Sequence, residues 1–218
     1  MIALESLRRA AAALEGVAVR TPLVDVPSGL LPGPRVALKC EQLQPIGAFK
    51  LRGAFTAISR LSDAERARGV ITHSSGNHGQ AVAFVARHFG IRAIIVMPAD
   101  APAVKVAGVR RYGAEIAFVA DRSERQARCD ALALEHGMVA VPPYENPDVI
   151  AGQATCGLEI LEQMPDVETI VVQVGGGGLI AGIASAVAAL KPSVEIIAVE
   201  PEGAPKLARA LAAGRPVR

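Results

Sequence analysis

The chain has 218 residues, of which 51% are hydrophobic and 20% are charged, so it can bury a large core and is not a disordered chain. Its 23 Lys and Arg residues nearly balance its 21 Asp and Glu residues, and a net charge of +2 argues against a nucleic-acid or anionic-membrane partner. Only 3% of the residues are aromatic and tryptophan is absent, which argues against base-stacking platforms.

Segments typical of strands alternate with segments typical of helices along most of the chain. In chain order we predict a helix ending at Gly16, a strand at 36–40, a helix through 51–61, a strand at 70–72, a helix at 79–88, a strand at 93–97, a helix ending at Gly113, a strand at 115–119, a helix at 122–136, a strand at 138–141, a helix at 148–164, a strand at 169–174, a helix ending at Leu190 and a strand at 194–199. This alternation predicts an α/β fold of parallel sheets with helices on both faces. Ligands of such folds bind at the carboxyl ends of the strands.

The first loop whose residues indicate a reactive site precedes the second predicted helix. Pro45 and Gly47 interrupt the chain there and place Lys50 in or near the first turn of that helix. The helix dipole disfavours a protonated ammonium at this position, and the apolar neighbours Phe49 and Leu51 would desolvate it. Both effects lower the pKa of a lysine, which imine formation requires. A plain surface lysine is the alternative, but lysines are rare among the basic residues of this chain.

The second loop, HSSGNHGQ at residues 73–80, again lies between a strand and a helix. Its hydroxyls, amide, imidazole and free N–H groups suit a carboxylate ligand. Helix capping is the alternative, although one cap does not need so many polar side chains. A serine nucleophile is not favoured, because Gly-x-Ser-x-Gly is absent and the loop contains no Asp. His73 and His78 lack the i, i+4 spacing of a helical zinc pair.

Four consecutive glycines, Gly175 to Gly178, stand between a predicted strand and an apolar helix. Without Cβ atoms the backbone can point several N–H groups at one place, and the helix N-terminus adds partial positive charge. A tight turn without a ligand is the alternative, but so many glycines favour a phosphate site. The pattern matches neither the Walker A motif nor a strict G-x-G-x-x-G, so a nucleotide is not the default ligand.

The amino terminus and the cysteines favour a cytoplasmic protein. Residues 1–5 lack the order of a signal peptide, and no apolar run reaches membrane-spanning length. Cys40, Cys129 and Cys156 are far apart and odd in number, which suggests neither a disulfide framework nor a metal site.

A phosphate site, an activated lysine and a carboxylate pocket together describe pyridoxal phosphate acting on an amino acid. The chain resembles fold-type II pyridoxal phosphate enzymes over its whole length, and within that group it is most similar to threonine dehydratase and serine racemase. The motifs that carry the resemblance are RTPL at 20–23, AFKLRGA at 48–54, SSGNHGQ at 74–80, IAGQAT at 150–155, GGGGL at 175–179 and VEP at 199–201.

The resemblance implies a role for individual residues. The implied cofactor-binding residues are Phe49, Lys50, Asn77, Gly175, Gly176, Gly177, Gly178 and Leu179. The implied substrate-binding residues are Ser74, Ser75, Asn77, His78 and Arg125, which hold the carboxylate mostly through backbone N–H groups. Lys50 and Ser75 are the implied catalytic residues: Lys50 binds the cofactor covalently and moves the α-proton, and Ser75 serves the opposite face in the racemase.

The resemblance also implies two parallel-sheet αβα domains of the tryptophan synthase β type. Residues 1–62 would begin the large cofactor domain, 63–147 would form the small domain, and 148–218 would continue the large domain. Relatives continue well past residue 218, with a loop whose hydroxyl or thiol faces the pyridine nitrogen. We therefore expect an incomplete large domain here, and a homodimer in the full-length form.

The implied activity is deamination of L-threonine or L-serine to a 2-oxo acid and ammonia. A serine or hydroxy-amino-acid racemase is the first alternative, because one intermediate serves both reactions. The second alternative is a truncated chain that binds pyridoxal phosphate without turnover.

Several relatives bind a divalent cation beside the Glu-Pro motif, and the corresponding positions here are Glu200, Ala204 and Lys206. Lys206 puts an ammonium where an acidic ligand would stand, so we expect no metal. The ammonium either pairs with Glu200 as a built-in substitute or is simply solvated.

Overall fold

A computed structural model describes residues 1–30, 33, 35–74, 76–215 and 217. Its helices are α1 (Leu4–Ala13), α2 (Lys50–Ser59), α3 (Asp63–Arg68), α4 (Asn77–Phe89), α5 (Ala103–Arg110), α6 (Arg125–His136), α7 (Pro147–Gln163), α8 (Gly178–Leu190) and α9 (Lys206–Ala213). Its strands are β1 (Leu23–Asp25), β2 (Ala37–Lys39), β3 (Val70–His73), β4 (Ala93–Pro98), β5 (Glu115–Val119), β6 (Val139–Ala140), β7 (Thr169–Gln173) and β8 (Glu195–Val199). Within these ranges, no helix is both long enough and apolar enough to cross a membrane.

Two of the sheets are parallel, as the alternation of strands and helices predicts. β5, β4, β3 and β6 lie side by side in that order, with Val70 opposite Ala93 where β3 meets β4. β7 pairs with β8 in parallel, with Thr169 opposite Glu195. The four-stranded sheet lies between residues 70 and 140, inside the range predicted for the small domain, 63–147. The three domain boundaries themselves stay a prediction.

β1 and β2 depart from the predicted arrangement, because they pair antiparallel, with Val24 opposite Leu38. Only residues 26–36 connect them. A connection of that length can return the chain in the opposite direction, whereas a parallel pair needs a longer crossover, usually with a helix.

The sequence analysis missed β1, α3 and α9, although α3 carries a recognisable start signal. Ser62 accepts a hydrogen bond from the backbone N–H of Glu65, and the Glu65 carboxylate accepts one from the backbone N–H of Ser62. This reciprocal pair is a capping box, whose Ser-x-x-Glu pattern is visible in the sequence.

α7 packs against α1, α2 and α8, which are helices that precede and follow the four-stranded sheet in the chain. Glycines bring the helix backbones together. A Cβ atom at Gly182 of α8 would lie 2.6 Å from the Ala154 nitrogen and 2.8 Å from the Ile150 carbonyl oxygen of α7. On the other side of α7, a Cβ atom at Gly152 would collide with the Arg52 carbonyl oxygen of α2 and would lie 2.6 Å from Thr56 Oγ1. These contacts fix α2 and α8, whose first turns form the site described below.

We expect Gly182→Ala to lower the free energy of unfolding by about 1–3 kcal/mol, because the added methyl group meets backbone atoms that cannot move independently. Urea unfolding followed by circular dichroism measures this. Gly203→Ala is the control, since no atom of the described residues lies within 4 Å of a Cβ at Gly203. Equal stability of the two variants would contradict the close packing of α7 and α8.

Candidate active site

Lys50 is the first residue of α2, as the sequence predicts. Its Nζ donates a hydrogen bond to the Pro143 carbonyl oxygen at 2.6 Å and lies 5.3 Å from the centre of the Phe49 ring. Burial lowers the pKa of Lys50 to about 8. The hydrogen bond to Pro143 stabilises the ammonium and acts in the opposite direction. Lys50 is therefore a held, partly desolvated amine that becomes a nucleophile at mildly alkaline pH.

The glycine loop, residues 175–178, joins β7 to α8. Gly177 has a φ of 85°, a left-handed conformation that favours glycine, and its carbonyl oxygen accepts the Ala181 N–H at 2.9 Å as the first turn of α8 closes. Leu179 is half-buried in that first turn. The N–H groups at the start of a helix have no partner within the helix, so they are available to an anion.

Lys50 and the glycine loop both lie against residues 141–146, which we call the 141–146 segment. The Pro143 carbonyl oxygen accepts the hydrogen bond from Lys50 and would lie 4.0 Å from a Cβ atom at Gly178. A Cβ atom at Gly176 would overlap the Tyr144 ring. The two motifs, more than a hundred residues apart in sequence, thus meet on this segment. The sequence analysis placed this segment at the end of the predicted small domain, 63–147, and missed Pro143 and Tyr144 as site residues.

The serine-containing loop lies between β3 and α4. Ser74 is half-buried, and its Oγ accepts the Gly76 N–H at 3.2 Å. Asn77 begins α4 and is exposed, and its Oδ1 accepts a hydrogen bond from Lys105 Nζ at 3.3 Å. Ser75 lies outside the described residues. The substrate and cofactor roles of Ser74, Ser75 and Asn77 stay predictions.

The side chain of His78 is buried and faces the 141–146 segment. Its Nε2 lies 3.0 Å from the Val141 carbonyl oxygen, so Nε2 carries the proton and donates it. Burial, followed by the positive charge of Lys50, lowers the pKa of His78 to about 3, although the hydrogen bond to Val141 opposes this shift. His78 is therefore neutral at neutral pH. Its predicted contact with a carboxylate rests on its backbone N–H near the start of α4, because its Nε2 is already engaged.

Arg125 lies near the carboxyl end of β3. Its Nε donates to the Arg122 carbonyl oxygen at 2.8 Å. The pKa of His73 is lowered first by burial and next by the charge of Arg125, which places that charge close to the serine-containing loop. A role for Arg125 in sensing a carboxylate stays a prediction.

A buried ionic cluster supports the helix that carries Lys50. The guanidinium of Arg52, with the side chain 1% exposed, donates to both Glu41 oxygens at 2.8 Å and to the Glu159 oxygens at 2.7 and 2.9 Å. Lys39 also donates to Glu159 and, at 2.7 Å, to the Thr21 carbonyl oxygen. The sequence analysis did not identify this cluster, because its members are far apart in the chain.

The Glu-Pro motif lies before α9. The Glu200 oxygens accept the Leu207 N–H at 2.7 Å and the Ala208 N–H at 3.1 Å, so Glu200 stabilises the start of that helix. A pair between Lys206 and Glu200 is not among the ion pairs of the described residues. The structure therefore gives Glu200 a capping role that the sequence analysis did not foresee.

Comparison with known proteins assigns the chain to a family. The family model described as pyridoxal-phosphate dependent enzyme matches residues 14–218. The chain belongs to this family. It is 43% identical to the serine racemase of Oryza sativa subsp. indica over 214 residues, which is 97% of this chain and 63% of that protein. It is 44% identical to the L-threonine ammonia-lyase of Thermotoga maritima over 222 residues, which is 100% of this chain and 55% of that protein.

Solved structures of pyridoxal-phosphate dependent enzymes agree with this assignment. The maize serine racemase structure matches with a TM-score of 0.95 at 42% identity, over 99% of this chain and 66% of that one. The resemblance to fold-type II enzymes and the predicted α/β fold class are thereby confirmed. The chain spans less than two thirds of the length of the rice and Thermotoga relatives.

The residues of this chain fit the cofactor pyridoxal phosphate. Lys50 is an amine of lowered pKa, and the glycine loop offers helix N–H groups where side chains would obstruct the approach of a phosphate. Phe49 lies beside Lys50, within reach of a ring attached there. Lys50 and the glycine loop would hold the aldehyde and phosphate ends, and Asn77 stays the predicted partner of the 3-oxygen.

We expect millimolar magnesium or calcium to leave the melting temperature of the chain unchanged. A cation bound to the folded state raises that temperature by mass action, but the resemblance puts Lys206 where relatives have an acidic ligand, and Glu200 already caps α9. Thermal melts with and without a chelator measure the effect. A clear upward shift with magnesium would show that our interpretation of Lys206 is wrong.

Proposed function

We propose that this chain belongs to an L-threonine/L-serine ammonia-lyase that uses pyridoxal phosphate to convert a hydroxy amino acid into a 2-oxo acid and ammonia. The observation that carries the proposal is the meeting of Lys50 and the glycine loop on the 141–146 segment. The similarity to the Thermotoga maritima L-threonine ammonia-lyase supports the choice of reaction. The substrate is then a small amino acid with a hydroxyl group on its β-carbon.

Pyridoxal phosphate, when bound, supplies a ring that withdraws electrons from the α-carbon of the amino acid. Lys50 would hold the aldehyde end, and its free amine would accept the α-proton on Nζ. Its pKa of about 8 keeps a useful fraction of the amine neutral near neutral pH. The N–H groups at the start of α4 orient the carboxylate, so that the α-proton faces Lys50. In the net reaction, the α-proton and the β-hydroxyl group would leave the substrate as one water, and one water would be taken up as ammonia and the 2-oxo acid are released.

Amino-acid racemisation is the second candidate. It is favoured by the 43% identity to the rice serine racemase, which differs by only one percentage point from the 44% identity to the ammonia-lyase. Racemisation needs a second proton donor on the opposite face, and the sequence resemblance gives that role to Ser75. A chain that binds the cofactor without turnover is the third candidate.

The three candidates are separated by product analysis of the purified chain with pyridoxal phosphate. We expect 2-oxobutanoate from L-threonine, whereas D-serine formed from L-serine at a higher rate would favour the racemase. Because the chain spans only 63% of the rice relative, the same assays should be repeated on a fusion protein that joins this chain to the C-terminal region of the maize serine racemase. We expect the fusion to be clearly more active. Cofactor binding without either product, in both proteins, would support the third candidate.

We also propose a cytoplasmic location and a homodimer for the full-length protein, with no nucleic-acid or membrane partner. The near balance of charges supports the absence of a polyanionic partner. Light scattering coupled to size-exclusion chromatography of the fusion tests the dimer, and a monomer at micromolar concentration would contradict it.

A further inference from the structure

The ring of Tyr144 covers one side of the glycine loop. A Cβ atom at Gly176 would overlap this ring, and a Cβ atom at Gly178 would lie 3.5 Å from Tyr144 Cβ. In contrast, Cβ atoms at Gly175 and Gly177 would meet no described atom within 4 Å. The loop therefore has one side closed by an aromatic ring and another side open.

Core packing does not account for this position of Tyr144. The other tyrosine, Tyr112, packs edge-on against Phe84 with ring centres 5.3 Å apart, beside the main hydrophobic core. Tyr144 is half-buried and belongs to none of the hydrophobic clusters formed by the described residues. Its ring lies against Gly176, where a Cβ atom would overlap it.

The backbone next to Tyr144 is held in an unfavourable conformation. Glu145 has a φ of 60°, in the left-handed region that is uncommon for residues other than glycine. On the other side of Tyr144, the Pro143 carbonyl oxygen is held by Lys50. Both neighbours of Tyr144 are thus constrained, Glu145 by its φ and Pro143 by its hydrogen bond, and backbone strain of the kind seen at Glu145 is concentrated at functional sites.

We propose that Tyr144 is a positioning residue of the phosphate site, whose ring closes one side of the glycine loop and holds its N–H groups toward the phosphate. This inference rests on the proposed function, and specifically on phosphate binding by the loop. A ring against Gly176 excludes water from that side, and hydrogen bonds to an anion become stronger where water is excluded. The same contact restricts the loop before the ligand arrives, which lowers the entropy lost on binding.

The proposal predicts a selective effect on phosphorylated ligands. A general loss of structure would weaken all ligands of the cleft alike. Loss of the ring should instead weaken only those that place a phosphate in the loop. The contact is made by ring atoms, so removal of the hydroxyl group alone should have little effect.

The experiment compares pyridoxine 5′-phosphate with pyridoxine by equilibrium dialysis against the full chain. Neither ligand has an aldehyde, so neither reacts with Lys50, and the ratio of their dissociation constants reports the phosphate alone. We expect Tyr144→Ala to reduce the preference for the phosphorylated ligand about tenfold, which is the effect on binding of weakening one charge-assisted hydrogen bond. Tyr144→Phe should keep the preference of the wild type. Tyr144→Leu, which keeps apolar volume without a ring, replaces Tyr144→Ala if that variant does not fold.

An unchanged ratio in Tyr144→Ala or Tyr144→Leu would overturn the proposal, as would an equal loss of affinity for both ligands. A loss of preference in Tyr144→Phe as large as in Tyr144→Ala would assign the effect to the hydroxyl group and overturn the role of the ring. A wild-type chain that binds both ligands equally would overturn the phosphate site itself. A different result is a wild-type chain that fails to deaminate L-threonine but prefers the phosphorylated ligand, together with a Tyr144→Ala variant that loses this preference. This result would contradict the proposed function and support the role of Tyr144.

Discussion

Replacing Lys50 with alanine should abolish covalent attachment of pyridoxal phosphate and reduce turnover by at least about 10³-fold, because both the anchoring amine and the proton acceptor are lost. Visible absorbance after addition of the cofactor, followed by borohydride reduction and peptide mapping, measures the attachment. Lys206→Ala is the control, since Lys206 is exposed in α9. Labelling spread over Lys39 or Lys105 in the wild type would refute the assignment.

The rate of that attachment should rise with pH around a midpoint near 8. Only the neutral amine attacks an aldehyde, and the neutral fraction increases as the pH rises through the pKa of the lysine. Burial lowers the pKa of Lys50 from 10.5 to about 8, so the increase should be largely complete by pH 9. Stopped-flow absorbance over pH 6 to 10 measures the profile. A midpoint near 10 would show that Lys50 is not desolvated.

Arg52→Leu should lower the free energy of unfolding by about 3–5 kcal/mol, the cost of leaving buried charges without their partner. Glu41 and Glu159 both lose the guanidinium that neutralises them. Urea unfolding at pH 7 measures the loss. The matched control is Arg20→Leu, whose pair with Glu162 is exposed at 53% and 62% and should contribute about 0–1 kcal/mol. Similar losses in the two variants would contradict the importance of the buried cluster.

The effect of Arg52→Leu should also depend on pH. Burial alone would raise the pKa of Glu41, but the hydrogen bonds and charge of Arg52 outweigh burial and lower that pKa below its usual 4.5. A carboxyl group with a lowered pKa stabilises the fold fully above its unfolded pKa and loses this contribution as the pH falls through its folded pKa. The difference in stability between wild type and variant should therefore be largest near neutral pH and should shrink below about pH 4.5.

Local patterns in the sequence were enough to predict most of the helices and strands and the placement of Lys50. Pro45 and Gly47 break the chain, and α2 begins where that break predicts. The glycine loop likewise lies between β7 and α8. These features depend on residues adjacent in sequence, so periodicity and turn chemistry are sufficient to find them.

The contacts that complete the site could not be predicted in this way. The bond from Lys50 to Pro143 joins residues 93 positions apart, and the bond from Arg52 to Glu159 joins residues 107 positions apart. No local pattern encodes such pairs, since they depend on how the helices pack. The presence of two prolines and a tyrosine in the 141–146 segment was visible, but its approach to the glycine loop required the tertiary structure.

The 141–146 segment also connects two helices through hydrogen bonds. His78 of α4 holds the Val141 carbonyl at one end, and Lys50 of α2 holds the Pro143 carbonyl only two residues later. The rings of Pro142 and Pro143 fix two φ angles, so this piece of chain has fewer backbone angles that can absorb a movement. A shift of α4 relative to α2 would therefore strain the hydrogen bond between His78 and Val141 or the one between Lys50 and Pro143. The start of α4 and the lysine amine are thus connected through two hydrogen bonds on one short piece of chain.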